Sequence, residues 1–272
     1  MDYIEKNTIC VNYMEKAKNK FGTLILEKST VSFGKYTTEN GLCELLMLFM
    51  HVASQYISSE DKLPIIQRFV NELKTSNSKI DNSVKNILEL YGDNLFEVET
   101  YEPYFCFLAY TRSMDNFVSY LKDILIEVMN KKPELLKSNE LESVEFILSF
   151  NNMEDLKKTL IDRKIEKLLY KGIDELLKYF KDRLGLDLVH DTGDKMVLNQ
   201  MIKQRNLIVH NRGIISNTFA KEFPQYEKNI GDTIQFNYKQ ISKINILLNN
   251  VLVEFDEIIS KKFKLDLINL HV

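Results

Sequence analysis

The sequence predicts an all-α protein. Its 272 residues include only nine Gly and four Pro, whereas an all-β sandwich needs turn residues every ~8 to 12 positions. Apolar residues instead recur at intervals of three and four over long stretches, which is the spacing of helices with one buried face. With 44% hydrophobic and 28% charged residues, the composition is globular, and neither a disordered nor a fibrous protein fits.

Residues 1–100 are predicted to be an additional, mostly helical region of unknown role. Within them, residues 31–41 (VSFGKYTTENG) mix β-branched, aromatic and Gly residues, which predicts a short hairpin or an ordered loop. Three helices are expected next. The first covers residues 41–58, the second has Pro64 in its first turn, and the third ends at Gly92.

Residues 101–272 are predicted to form a second helical domain, with the boundary near Glu97–Pro103. This domain begins with a long, central helix that Pro133 ends. The apolar positions at helical spacing in this helix are Phe117, Leu121, Ile124 and Val128.

The rest of the second domain is predicted to contain three further helical stretches. Residues 152–185 interleave charged and apolar residues, as in a helix or helix pair with one apolar face. A loop, residues 186–195, leads to a helix that starts near Lys195 and ends before Gly213. A short extended piece, residues 233–237, precedes a last helix. The wide apolar stripe of this helix indicates that it packs either in the core or at a dimer interface. That stripe comprises Ile241, Ile244, Leu248, Val251, Phe255 and Ile258, widened by Leu247, Leu252 and Ile259.

Composition excludes several classes of protein. A formal charge of −3 argues against binding nucleic acid by bulk basicity. The three Cys are widely spaced without a CxxC pair, which indicates neither a disulfide framework nor a zinc knuckle and favours a reducing cytoplasm. The N-terminus is acidic and lacks an apolar signal region. Residues 42–53 are too short and polar for a membrane span, so we expect a soluble cytoplasmic protein.

The helix from Lys195 carries a group of residues suited to phosphodiester chemistry. Arg205 falls within its apolar face, where a permanent charge needs an anionic partner. Asn206 and His210 lie on a neighbouring polar stripe, one turn apart. Imidazole exchanges protons near neutral pH, and a fixed cation stabilises charge growing on phosphorus. These residue types, without a metal-ligand cluster, suit cleavage of RNA by its own 2′-hydroxyl.

Residues 205–213 read RNLIVHNRG and resemble the RNxxxHN-type signature of the HEPN superfamily (higher eukaryotes and prokaryotes nucleotide-binding), in which four to six residues separate Arg from His. The resemblance covers residues 104–263 and implies a helical bundle, while residues 1–100 match no family. It further implies a metal-independent, cofactor-free endoribonuclease acting on single-stranded or loop RNA at a composite site of a homodimer. Toxins and antiphage or abortive-infection effectors have such sites, which suggests a cognate antitoxin or regulatory protein as a partner.

The resemblance also implies roles for individual residues. His210 would transfer protons, Arg205 would stabilise charge on the phosphate, and Asn206 would position the substrate. The predicted substrate-binding residues are Lys203, Asn211 and Arg212. Isolated surface cations such as Lys203 and Arg212 equally often have no role in binding. Family members whose site is targeted by a nucleotidyltransferase have Tyr two positions after His, where this chain has Arg212, which puts tyrosine AMPylation of this site in doubt. The acidic residue that many members supply from an earlier helix has three candidates here: Asp115, Asp123 and Glu127.

Other interpretations of these residues remain open. Arg205 could pair with a structural carboxylate while His210 caps a helix end, and the domain could be an inactive HEPN module that binds RNA or a partner protein. A purely structural helical protein is a third alternative. His51 is expected in the core, and the aromatic cluster at residues 101–110 is expected to be core rather than a base-stacking surface. His190, with Asp187, Asp191 and Asp194, matches no metal-binding loop.

Overall fold

The structure is a computed structural model that describes residues 28–57, 98–137, 141–189 and 192–269. These residues are predominantly helical, which confirms the predicted all-α class. The elements in chain order are β1 (Lys28–Ser29), α1 (Val31–Ile57), α2 (Val98–Lys131), a 3₁₀ helix (Pro133–Leu136), α3 (Val144–Leu148), α4 (Met153–Tyr170), α5 (Ile173–Leu184), α6 (Thr192–Asn211), α7 (Asn217–Glu222), a second 3₁₀ helix (Pro224–Asn229), α8 (Tyr238–Phe263) and β2 (Ile268–Asn269). The two short strands pair antiparallel, with Lys28 opposite Asn269.

Helix α2 is the centre of the bundle and packs against α1, α4, α6 and α8. Its predicted apolar positions Phe117, Leu121, Ile124 and Val128 are fully buried. It ends at Lys131, two residues before Pro133, as the sequence predicts. Because α1 belongs to residues 1–100 and packs along α2, this part of the N-terminal region shares the core of the second domain. The division into two domains near Glu97–Pro103 stays a prediction.

The prediction of a hairpin or ordered loop at residues 31–41 is wrong, because these residues form the first turns of α1. Thr30 caps the helix, its hydroxyl accepting a hydrogen bond from the Phe33 amide at 3.1 Å. Two carboxylates from other helices complete this N-terminus. Asp256 accepts from the Thr30 amide at 3.0 Å, and Glu127 accepts from the Ser32 amide at 2.8 Å. These partners lie 95 residues or more away in sequence, so local patterning does not reveal them.

Most of the remaining helix predictions are confirmed with adjusted ends. Residues 152–185 form the pair α4 and α5, which separate at Gly172, where φ is +96°. Helix α6 begins at Thr192, three residues before the predicted start. The stripe of α8 is buried except at Val251, which is half-buried, and at Ile258, which is 40% exposed. The predicted helices after Pro64 and up to Gly92 lie outside the described residues.

The outer face of α1 is apolar and exposed. Leu42, Leu45, Leu46, Phe49 and Val52 are each 57–67% exposed on it. The predicted core residue His51 instead lies half-buried beside this face, its ring stacked on Tyr238 at 4.6 Å. Across the described ranges, no helix combines the length and the apolar character needed to cross a bilayer.

We predict that replacing Asp256 by Ala lowers the free energy of unfolding by about 2 to 4 kcal/mol, because the buried Thr30 and Tyr120 donors lose their acceptor. Burial raises the pKa of Asp256 in the folded state. Asp256 therefore contributes most to the free energy of unfolding below its ordinary pKa of ~3.9, and this contribution declines as pH rises through the folded-state pKa. Urea unfolding at pH 4 and pH 7 should therefore show the larger loss at pH 4. Asp266→Ala, at a side chain 94% exposed, is the control and should change little. Equal effects of the two substitutions would contradict this account.

Candidate active site

The candidate site lies at the C-terminal end of α6. This helix buries Met201, Ile202 and Leu207 in the core. After Asn211 the backbone turns left-handed at Arg212 (φ +53°) and Gly213 (φ +78°), and the Gly213 amide donates to the Leu207 carbonyl at 3.0 Å. The helix therefore ends where the sequence predicts.

Gly213 anchors this helix end to α2. A Cβ at this position would lie 3.0 Å from the Phe107 ring. The Gly213 carbonyl accepts from the Ile234 amide at 2.8 Å, and Ile214 forms a bridge with Thr233. The predicted extended piece at residues 233–237 thus holds the turn that follows the motif.

We predict that Gly213→Ala destabilises the fold by about 1 to 3 kcal/mol, because it combines a strained backbone angle with overpacking against Phe107. Gly231→Ala is a matched control: its φ is +91° and no atom lies within 4 Å of an added Cβ. Urea denaturation should show the smaller loss for Gly231→Ala. Equal losses would mean that the contact with Phe107 is unimportant.

Arg205 forms an ion pair with Asp115 on α2. Its Nη2 and Nε lie 2.9 and 3.2 Å from Asp115 Oδ1, and its Nη1 lies 3.4 Å from Asn206 Oδ1. The Arg205 and Asp115 side chains are 32% and 41% exposed. An ion pair this exposed adds only ~0 to 1 kcal/mol to stability. It fixes the guanidinium while leaving it accessible to a further anion.

This contact separates the three acidic candidates. Only Asp115 contacts the motif among them. Asp123 lies 3.4 Å from Lys35 Nζ, and Glu127 caps α1. Nothing in the sequence distinguishes these three acidic residues, because which of them reaches Arg205 depends on how α2 and α6 pack.

Asn206 and His210 are both exposed and lie one turn apart on the polar side of α6. The His210 side chain makes no hydrogen bond or ion pair with any residue that the structure describes. Arg205 and His210 are separated by ~7.5 Å along the helix axis and by about 140° around it. Within one chain, the guanidinium and imidazole therefore lie on well-separated parts of the exposed surface at the end of α6.

The predicted substrate-binding residues surround this surface. Lys203 is half-buried and Arg212 is exposed. Asn211 donates through Nδ2 to the Ile214 carbonyl at 2.6 Å, so its amide nitrogen stabilises the turn. Asn199, from the same polar stripe, instead donates to Glu222 Oε1 at 3.0 Å.

A buried polar layer beneath the site was not apparent from the sequence. The Tyr110 hydroxyl lies 2.9 Å from both the Met201 carbonyl and Gln204 Oε1. Gln204 donates from Nε2 to the Tyr226 hydroxyl at 2.9 Å. These contacts fix the rotation and axial position of α6 relative to α2 and therefore determine which side chains of the motif face outward.

Other candidate residues show no comparable arrangement. Burial raises the pKa of Cys106 to about 12, so its thiol stays protonated. In the aromatic cluster, Tyr110 is buried whereas Tyr104 is 63% exposed. Asp187 faces two lysines, and His190 and Asp191 lie outside the described residues. Among the side chains that are described, no three or more His, Cys, Asp or Glu are grouped so as to hold a metal ion.

Comparison with protein-family models, curated proteins and solved structures finds no match. The features of this chain that bear on its function are therefore the side chains of Arg205, Asp115, Asn206 and His210. The resemblance of residues 205–213 to the HEPN signature stays a hypothesis beside the chemistry of these side chains.

Proposed function

We propose that this chain is a metal-independent endoribonuclease of the HEPN type, which cleaves single-stranded or loop RNA. The observation that carries the proposal is that two side chains are accessible at the end of one helix: the Arg205 guanidinium, held by Asp115, and the His210 imidazole, which has no partner among the described residues. The first can stabilise negative charge on a phosphate, and the second can move a proton.

In the proposed reaction, the 2′-oxygen attacks the adjacent phosphorus and the bond to the 5′-oxygen breaks. The products are a 2′,3′-cyclic phosphate and a 5′-hydroxyl end. Arg205 Nη1 would contact the phosphate oxygens, because Nε and Nη2 are occupied by Asp115. Asn206, beside Nη1, would position the phosphate, and Lys203 and Arg212 would contact neighbouring phosphates.

The reaction needs one group to accept the 2′-hydroxyl proton and another to protonate the leaving 5′-oxygen. The motif of one chain offers a single imidazole, His210. A second copy of the chain would supply the second imidazole, which supports a homodimer with a composite site. A toxin or antiphage effector in the cytoplasm, restrained by an antitoxin or regulatory protein, is the biological role that fits this chemistry.

An inactive module that binds RNA or a partner protein is the alternative function. It is favoured by one observation: Asp115 places a carboxylate directly on the Arg205 cation, as expected for a structural pair. Such a module would bind RNA without cleaving it.

The test is incubation of the purified chain with tRNA and mRNA in EDTA, followed by analysis of the cleaved ends. We expect cleavage that leaves 2′,3′-cyclic phosphates and that is unaffected by the chelator. Loss of cleavage in EDTA would contradict the mechanism, and RNA binding without cleavage would support the inactive module.

A further inference from the structure

A polar cleft separates α1 from α2 on the side of α2 next to Asp115. It contains about 510 Å³ of empty space, including the part open to solvent. Two ion pairs cross it, Arg112 with Glu39 and Lys35 with Asp123. The Arg112 and Glu39 side chains are 54% and 50% exposed, so this pair can exchange partners at little cost.

The floor of this α1–α2 cleft contains two buried polar groups that have no partner among the described residues. Tyr36 is 3% exposed and Asn116 is 4% exposed. Neither the Tyr36 hydroxyl nor Asn116 Nδ2 makes a hydrogen bond within the described part of the chain. Leaving such a group unpaired is unfavourable, because it has lost its hydrogen bonds to water without gaining one in the protein. Burial raises the pKa of Tyr36, so its hydroxyl keeps its proton and is a donor, as Asn116 Nδ2 is.

The cleft adjoins the candidate active site through α2. Arg112 precedes Asp115 by three residues, which places their Cβ atoms ~5 to 6 Å apart on the helix surface. Asn116 follows Arg112 by four residues and lies on the same face of α2 as Arg112. An anion bound at Arg112 would therefore lie about one helical turn along α2 from the Arg205–Asp115 pair.

We propose that the α1–α2 cleft is a subsite for a phosphate of the RNA strand that neighbours the scissile phosphate. This inference rests on the proposed function. The phosphate replaces Glu39 at the Arg112 guanidinium, and its oxygens accept hydrogen bonds from Asn116 Nδ2 and the Tyr36 hydroxyl. Phosphate chemistry fits because the unpartnered groups are donors and Arg presents a planar, bidentate donor edge to an oxyanion.

The subsite is tested first by binding of inorganic phosphate, measured by thermal shift at constant ionic strength. An Arg205→Gln background removes binding at the motif. In that background we expect Arg112→Gln to weaken phosphate binding at least fivefold and Glu39→Gln to tighten it two- to fivefold. Arg163→Gln is the matched control, since Arg163 is 52% exposed and pairs with Glu142 on the surface. Equal affinities in Arg112→Gln and Arg163→Gln, or no gain in Glu39→Gln, would overturn the subsite.

The second measurement is steady-state cleavage by the full chain that retains Arg205. Arg112→Gln should raise KM five- to tenfold with kcat unchanged. Phosphate binding in the expected order, without any RNA cleavage, would support the subsite and contradict the proposed function. Cleavage with a wild-type KM in Arg112→Gln would contradict the subsite alone.

Discussion

Replacing His210 by Ala is expected to reduce kcat for RNA cleavage by about 10³-fold, within the range that general acid–base catalysis provides. The side chain is exposed and has no partner among the residues described, so its removal should leave the fold intact. The measurement is the single-turnover rate on a short RNA, with thermal unfolding measured on the same sample.

Val209→Ala is the control for the His210 experiment. Val209 is the preceding residue, is 46% exposed and has no role in the proposed chemistry. We expect wild-type cleavage from this variant and an unchanged unfolding temperature for both. A His210→Ala rate within threefold of wild type would remove His210 from the mechanism.

Replacing Arg205 by Ala is expected to reduce kcat by about 10² to 10³-fold, as for loss of one group that stabilises transition-state charge. Its ion pair with Asp115 is partly exposed, so stability should fall by less than about 1 kcal/mol. Added guanidinium ion should restore part of the rate, because it can occupy the place of the missing side chain. The measurement is the single-turnover rate with and without guanidinium at matched ionic strength.

Asp115→Asn separates positioning from a purely structural role. We expect it to lower kcat about tenfold with KM little changed, because the guanidinium stays present but is less firmly oriented. Asp187→Asn is the control, since Asp187 also faces cationic side chains at a distance from the motif. If Asp115→Asn lowers stability but leaves kcat at the wild-type value, the pair is structural only.

Helix α2 contacts both the motif helix α6 and the α1–α2 cleft. Asp115 holds Arg205, Phe107 packs against Gly213, and Tyr110 fixes Gln204 of α6. On the neighbouring face of α2, Arg112 faces α1 across the polar cleft. One rigid helix therefore positions both the motif and the proposed phosphate subsite.

The sequence predicts those features that depend on local periodicity. The buried face of α2 follows from apolar spacing, and the end of α6 near Gly213 follows from a residue that favours left-handed backbone. The start of α1 does not, because Asp256 and Glu127 reach it from distant helices. The sequence also does not distinguish Asp115 from Asp123 as the acidic partner of Arg205, because that contact depends on how α2 and α6 pack.

The most direct test of the composite site is a mixing experiment. Wild-type chain is combined with increasing His210→Ala chain at constant total concentration, under conditions that allow subunit exchange, and cleavage is measured. If two copies complete one site, cleavage per wild-type chain should fall in proportion to the wild-type fraction. Cleavage per wild-type chain that stays constant at every ratio would show that one chain suffices and would contradict the account.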